Sequence, residues 1–146
     1  AVIKETLRMH LPAPLLAARE INEPCIIDGY QIAAKTIVYV NGWAIHRDPK
    51  AWKDPDEFLP ERFLDNTIDF LGQDFELIPF GAGRRICAGM PMAIASLDVI
   101  LANNLLNSFD WELPTGMTKE NIDTEMLPGI TQHKKNPLYV LAKCRI

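Results

Sequence analysis

Cys87 lies in the stretch Phe80–Gly89, FGAGRRICAG, among three glycines and beside the adjacent pair Arg84 and Arg85. An apolar helical pattern begins directly after it. The thiol is therefore placed just before a helix N-terminus, where free backbone N–H groups and the helix dipole favour thiolate over thiol. A thiolate held in that way is a soft metal ligand or a nucleophile. The glycines let the backbone turn tightly and approach something flat and bulky. The arginines add fixed positive charge. These residues alone leave open which chemistry Cys87 performs.

Other chemistries find less support. The three cysteines, Cys25, Cys87 and Cys144, are far apart and form no C-x-x-C pair. That argues against a disulfide framework and a zinc site, and fits a reducing compartment. His10, His46 and His133 show no i, i+4 pairing and no nearby carboxylate set. A zinc hydrolase is thus unsupported, and the histidines are expected in surface or loop positions. With a net charge of −4 and no basic block, a nucleic-acid partner is not expected.

The 146 residues are 48% hydrophobic and 23% charged, enough for one domain with a modest core. No run of 18 apolar residues is present and no signal peptide is visible. The chain opens on AVIKETLR, in helical periodicity, without Met or a capping residue. This reads as a chain cut inside a helix, so a C-terminal piece of a longer protein is expected.

The elements that must position the loop follow from local pattern. Residues 1–10 read as a helix ended by Pro12 and Pro14. Glu5 and Arg8 share one face of it, and spacing alone suggests an exposed pair worth a few tenths of a kcal/mol. Leu15–Glu20, Cys25–Asp28, Gln31–Ala33 and Thr36–Asn41 read as strands, with a hairpin turn at Asp28–Gly29. The run Ile37–Val40 suggests a strand buried on both faces. Gly42–Arg47 reads as a short helix or turn. Residues 49–66, rich in Pro and charge, suggest a surface meander with a helical turn near Pro55–Phe58. Trp43, Trp52, Phe58 and Phe63 imply that it still packs onto a core. After Cys87, Met90, Ile94, Leu97, Leu101 and Leu105 form one apolar helical stripe. Pro91 is tolerated in its first turn. Strands are expected at Phe109–Leu113 and Leu138–Lys143, with a turn at Pro128–Gly129. The fold class is mostly α with small β-sheets, α+β.

Three of these stretches carry a resemblance. Phe80, Gly83, Arg85, Cys87 and Gly89 match F-x-x-G-x-R-x-C-x-G, which resembles the haem-binding loop of the cytochrome P-450 superfamily. Glu5-Thr6-Leu7-Arg8 resembles the family's E-x-x-R helix, and Pro60-Glu61-Arg62-Phe63 its P-E-R-F segment. All three fall in the family's order. The resemblance covers the whole chain and is strongest to plant microsomal members, given WAIHRDP at 43–49 and PFGAGRRICAG at 79–89. It implies that residues 1–146 are the C-terminal portion of a single P-450 catalytic domain.

The resemblance implies haem b as cofactor, with Cys87 as the proximal thiolate ligand to iron. Arg85 would pair with a haem propionate, and Arg19 with the second. Phe80 would cover the thiolate side of the ring. Gly83 and Gly89 belong to the cofactor loop, and the N–H groups of Ala88 and Gly89 would bond the sulfur. Glu5, Arg8 and Arg62 would form a buried ion-pair cluster that holds the loop rather than doing chemistry. Ala13, Pro14, Leu15, Leu16 and Ile130 fall where family members contact substrate. Leu11, Ala33 and Gly42 depart from common family residues without touching the haem loop.

The implied activity is monooxygenation of an apolar small molecule by O2. Electrons would come from an NADPH-dependent flavoprotein reductase, on the cytosolic face of the endoplasmic reticulum through an N-terminal anchor outside these residues. Two alternatives stand beside it: a haem-thiolate peroxide isomerase or dehydratase, and a non-enzymatic domain in which Cys87 is a redox or structural thiol.

Overall fold

A computed structural model describes residues 1–145. The chain divides into two compact units. One comprises Ala1–Ile86 with Ile130–Gln132; the other comprises Cys87–Gly129 and the chain from His133 on. Among the described residues, short helices alternate with four two-stranded antiparallel sheets, the expected mixture of helix and small sheet. Among the described residues no helix is long and apolar enough to cross a membrane.

In the first unit, helix α1 spans Val2–Met9 and buries Glu5, Leu7 and Arg8. Strand β1, Arg19–Glu20, pairs with β4, Ile37–Val38, placing Arg19 opposite Val38. Strands β2, Cys25–Ile27, and β3, Tyr30–Ile32, form the hairpin expected at Asp28–Gly29. Its turn residues have φ of 47° and 80°, as a two-residue turn between twisted strands requires at both positions.

Two expected strands are shorter than their sequences suggest. Residues 13–16 form a turn instead, with the Leu16 N–H donating to the Ala13 carbonyl at 3.0 Å and Leu16 at φ 51°. Only Arg19–Glu20 remains extended and paired. In the run 37–40, pairing ends after Val38, and the Val40 carbonyl accepts the Gly42 N–H at 2.9 Å. Ile37 is 51% and Tyr39 57% exposed, so this is not a strand buried on both faces. Faces of a strand are buried only where other layers cover them, and these side chains remain open to solvent.

Helix α2, Gly42–Ile45, is capped by Asn41, whose side-chain oxygen accepts the Ala44 N–H. The helical turn in the Pro-rich segment is the 3₁₀ turn Pro60–Phe63, not Pro55–Phe58. Pro60 presets its first φ there. The segment is also more than surface: the Trp52 and Phe63 rings pack at a tilt, centres 5.6 Å apart, and join Leu77 in the buried core, with Ile68 and Phe70 against it. Trp43 and Phe58 stay exposed.

In the second unit, helix α3, Met90–Asp98, carries Pro91 in its first turn and runs on through Val99–Leu106 with π spacing. The Asn107 N–H accordingly donates to the Ala102 carbonyl, five residues back, at 2.9 Å. Of the predicted stripe, Met90, Ile94 and Leu101 are half-buried, while Leu97 and Leu105 are exposed. No described residue of this unit is fully buried. Strand β5, Phe109–Glu112, pairs with Leu141–Cys144, so the last strand lies later than the expected 138–143. Between them a hairpin absent from the sequence reading joins β6, Met126–Leu127, to β7, His133–Lys134; the last strand is thus β8. Two-residue strands show no alternation for a period-2 pattern to detect.

Candidate functional site

The buried face of α1 meets the Pro60–Phe63 turn through one ion cluster. Arg8 and Glu5 are both fully buried. Arg8 Nε donates to Glu5 Oε2 at 2.7 Å and Nη2 to Oε1 at 2.8 Å, a side-on fork. Arg62 Nε donates to Glu5 Oε1 at 3.1 Å, and the Leu59 N–H reaches the same oxygen at 2.8 Å. The remaining Arg8 donors go to backbone carbonyls: Nη1 to His46 at 2.8 Å and Pro55 at 2.7 Å, Nη2 to Glu57 at 3.1 Å. All five guanidinium N–H groups are thus used. The Arg8 guanidinium also lies 5.3 Å from the Trp52 ring centre. Burial acts to raise the Glu5 pKa, but the bonds from Arg8 and Leu59 and the charges of Arg8 and Arg62 hold it below the usual carboxylate value. The exposed pair suggested by i, i+3 spacing is therefore corrected: tertiary partners 54 and 57 residues away enclose it.

His46 corrects a second expectation. It lies in the turn that ends α2, one of the positions expected, but is completely buried rather than at the surface. Its Nδ1 lies 3.1 Å from the Arg8 carbonyl, and its Nε2 accepts the Ile78 N–H at 2.9 Å. Burial first, then the charges of Arg8 and Arg47, push its pKa down to about 4 against the opposing pull of the Arg8 carbonyl. Sequence spacing held no signal for this residue, because its partners are backbone groups 38 and 32 residues away.

Beyond Ile78 the chain enters the glycine-rich loop. The Gly81 N–H donates to the Ile78 carbonyl at 2.9 Å. Gly81 and Gly83 have φ of 74° and 68°, backbone that a side chain at either position would strain. A 3₁₀ turn spans Gly83–Arg85. Arg19 Nη2 donates to the Arg85 carbonyl at 3.3 Å, joining β1 to this turn. Arg19, Arg84 and Arg85 line one cleft of about 490 Å³, with Leu16, Ala17, Val40, Phe75 and Ile78 among its walls. Among the described residues none of the three arginines has a carboxylate partner. Phe80 meets Phe70 edge-on at 5.9 Å.

In the second unit Cys87 is a free, exposed thiol. The Met90 N–H donates to its carbonyl at 3.3 Å as α3 begins. A Cβ on Gly89 would sit 3.7 Å from Cys87 Sγ, so glycine leaves the sulfur uncovered on that side. Among the described residues no N–H of Ala88 or Gly89 donates to the sulfur.

The candidate substrate-contacting residues split by exposure. Ala13, Pro14 and Leu16 are half-buried, whereas Leu15 and Ile130 are exposed, Ile130 at 94%. The Gln132 N–H donates to the Pro12 carbonyl at 2.7 Å, which brings the 13–16 turn and the 130–132 segment together.

The chain belongs to the cytochrome P450 family, whose model matches residues 1–141. It is 56% identical to cytochrome P450 71A1 of Persea americana over 142 residues, which is 97% of this chain and 28% of that protein. Strychnine-11-hydroxylase of Strychnos nux-vomica is 55% identical over 141 residues, again 97% and 28%. Among solved structures, a zebra fish cytochrome P450 with abiraterone matches at a TM-score of 0.84 and 28% identity, covering 99% of this chain and 32% of that one. The chain therefore spans little more than a quarter of the curated relatives it matches. The family's cofactor is haem. Taken unit by unit, the residues present suit that group: Cys87 is an accessible soft thiol for iron, and the cleft of the first unit holds three guanidinium groups with no carboxylate partner among the described residues, suited to an anionic edge.

Proposed function

We propose that this chain is the C-terminal portion of a single P450 catalytic domain and that the whole protein is a haem-thiolate monooxygenase acting on an apolar small molecule. The observation that carries the reading is the cleft in which Arg19 and Arg85 converge with no carboxylate partner among the described residues, Arg85 lying in the loop that leads in sequence to Cys87. Two cations left unpaired in one cleft repel each other, and an anionic ligand relieves that cost. In this reading Arg85 and Arg19 hold the propionates, and Cys87 is the proximal iron ligand. Phe80 flanks the ring. Gly83 and Gly89 give the backbone room to approach it. Haem bound there supplies an iron centre for O2 activation, whose reactivity the thiolate tunes. Glu5, Arg8 and Arg62 keep the loop's support rigid.

Ala13, Pro14, Leu15, Leu16 and Ile130 offer an apolar surface to the substrate. Relatives named strychnine-11-hydroxylase and 6,7,8-trihydroxycoumarin synthase support a plant secondary-metabolite-like substrate. An NADPH-dependent flavoprotein reductase as electron donor and an anchor to the endoplasmic reticulum complete the proposal.

The test is spectroscopic. The full-length ferrous protein with CO is expected to show the strongly red-shifted band of thiolate ligation, and Cys87→Ala to abolish it. Retention of the band would sink the assignment of Cys87. Turnover is expected to require NADPH and the reductase; product from a hydroperoxide alone would instead indicate peroxide rearrangement. Residues 1–146 by themselves are expected to bind haem weakly and to show no turnover, checked by haem titration of the purified piece. Tight one-to-one binding would contradict this.

A further inference from the structure

His46 is fully buried, and both of its ring nitrogens have fixed partners. A carbonyl only accepts, so Nδ1 facing the Arg8 carbonyl at 3.1 Å must carry the proton. A backbone N–H only donates, so Nε2 facing Ile78 at 2.9 Å must be bare. One neutral tautomer satisfies both, and neither the other tautomer nor the imidazolium does. The exchange with α1 is reciprocal, because Arg8 Nη1 donates to the His46 carbonyl at 2.8 Å.

These bonds form a continuous chain. It runs from the Glu5 carboxylate through the Arg8 guanidinium to the His46 backbone, from the His46 ring to the Ile78 N–H, and from the Ile78 carbonyl to the Gly81 N–H. The ion cluster touches none of Phe80, Gly83 or Arg85 itself. His46 is the group through which it reaches the segment that leads into them. We propose that His46 is a positioning residue: its ring ties Ile78 to the Glu5–Arg8 helix and so fixes the approach of the cofactor loop. The proposal deepens the haem reading and rests on it only for what the loop carries.

A buried histidine that merely fills space would act on stability alone, so the test separates the two ring nitrogens. In His46→Gln the amide oxygen reaches the Nε2 position and can still accept the Ile78 N–H. In His46→Asn the shorter amide reaches only the Nδ1 position; it keeps the Arg8 bond and leaves Ile78 unpaired. His46→Phe loses both bonds with similar volume. The readouts are the ferrous–CO spectrum of the full-length haem protein and its unfolding midpoint. Expected is a share of non-thiolate form raised about tenfold in His46→Asn and His46→Phe, as for one buried bond lost, with His46→Gln near wild type.

If the three variants shift the unfolding midpoint but leave the spectrum of the folded protein unchanged, or if Gln behaves as Asn does, the proposal is overturned. Should the variants fail to fold, amide hydrogen exchange on the wild-type protein decides. The Ile78 amide is expected to exchange as slowly as the core of α1; exchange at the rate of a free loop amide overturns the link. A wild-type protein lacking the thiolate band would refute the haem reading, while the exchange measurement would still judge the Ile78 tether.

Discussion

Arg8→Ala is expected to destabilise the protein by about 3–5 kcal/mol, the cost of breaking a buried ion pair by removing one partner. Arg8 is completely buried and its guanidinium satisfies both oxygens of Glu5 and three backbone carbonyls. Without it, the Glu5 carboxylate keeps only Arg62 Nε and the Leu59 N–H, and the carbonyls of His46, Pro55 and Glu57 lose a donor each. Glu5→Ala is expected to fall in the same range, because it strands the buried Arg8 charge. Arg8→Lys should recover less than half of the loss, since an ammonium cannot reproduce five donors in a planar fork. Denaturant unfolding of the full-length protein, followed by tryptophan fluorescence, measures this. A loss below about 1 kcal/mol for Arg8→Ala, the worth of an exposed pair, would show that the burial does not carry the expected penalty.

Acidification is the second large effect, and its sign follows from His46. The folded-state pKa is pushed down to about 4 from an ordinary value of 6.5. Between these values the unfolded chain binds the proton and the folded one does not. Stability is therefore complete above about pH 6.5 and falls as the pH drops toward 4, by roughly 3 kcal/mol in all. Burial is the first reason the ring resists protonation, followed by the charges of Arg8 from α1 and of Arg47 beside it in sequence.

His10, also lowered, adds a loss of its own as the pH falls below its ordinary value of 6.5, and Glu5 adds loss below the ordinary carboxylate value of 4.5. His46→Gln removes only the share of His46. The stability of wild type relative to the variant should thus fall steadily from pH 6.5 to 4. A constant difference across that range would mean that His46 does not titrate as its surroundings require.

What could be read along the chain was local. The Asp28–Gly29 hairpin rests on two adjacent residues that tolerate left-handed backbone, and it formed as expected. The start of α3 after Gly89 follows from Pro91 and the apolar period. The strand limits at 15–20 and 36–41 were overdrawn because β-rich composition does not say whether a partner is present. The hairpin of β6 and β7 was missed because each strand is two residues long.

The sequence by itself determined the family and the composition of the loop. Phe80, Gly83, Arg85, Cys87 and Gly89 stand at fixed intervals, and their types restrict backbone, charge and ligand chemistry without reference to anything distant. Local spacing did not show what supports that loop; only the resemblance implied the Glu5, Arg8 and Arg62 cluster, and its partners are visible only in the tertiary structure. It turned Glu5 and Arg8 from a surface pair into a buried cluster, because Leu59 and Arg62 close over them. It brought Arg19 to the Arg85 carbonyl across 66 residues. It also buried His46 and gave both of its ring nitrogens backbone partners from distant segments. The physical reason is the same in each case: burial and hydrogen bonding depend on which backbone groups arrive from far along the chain, and a one-dimensional pattern does not record that.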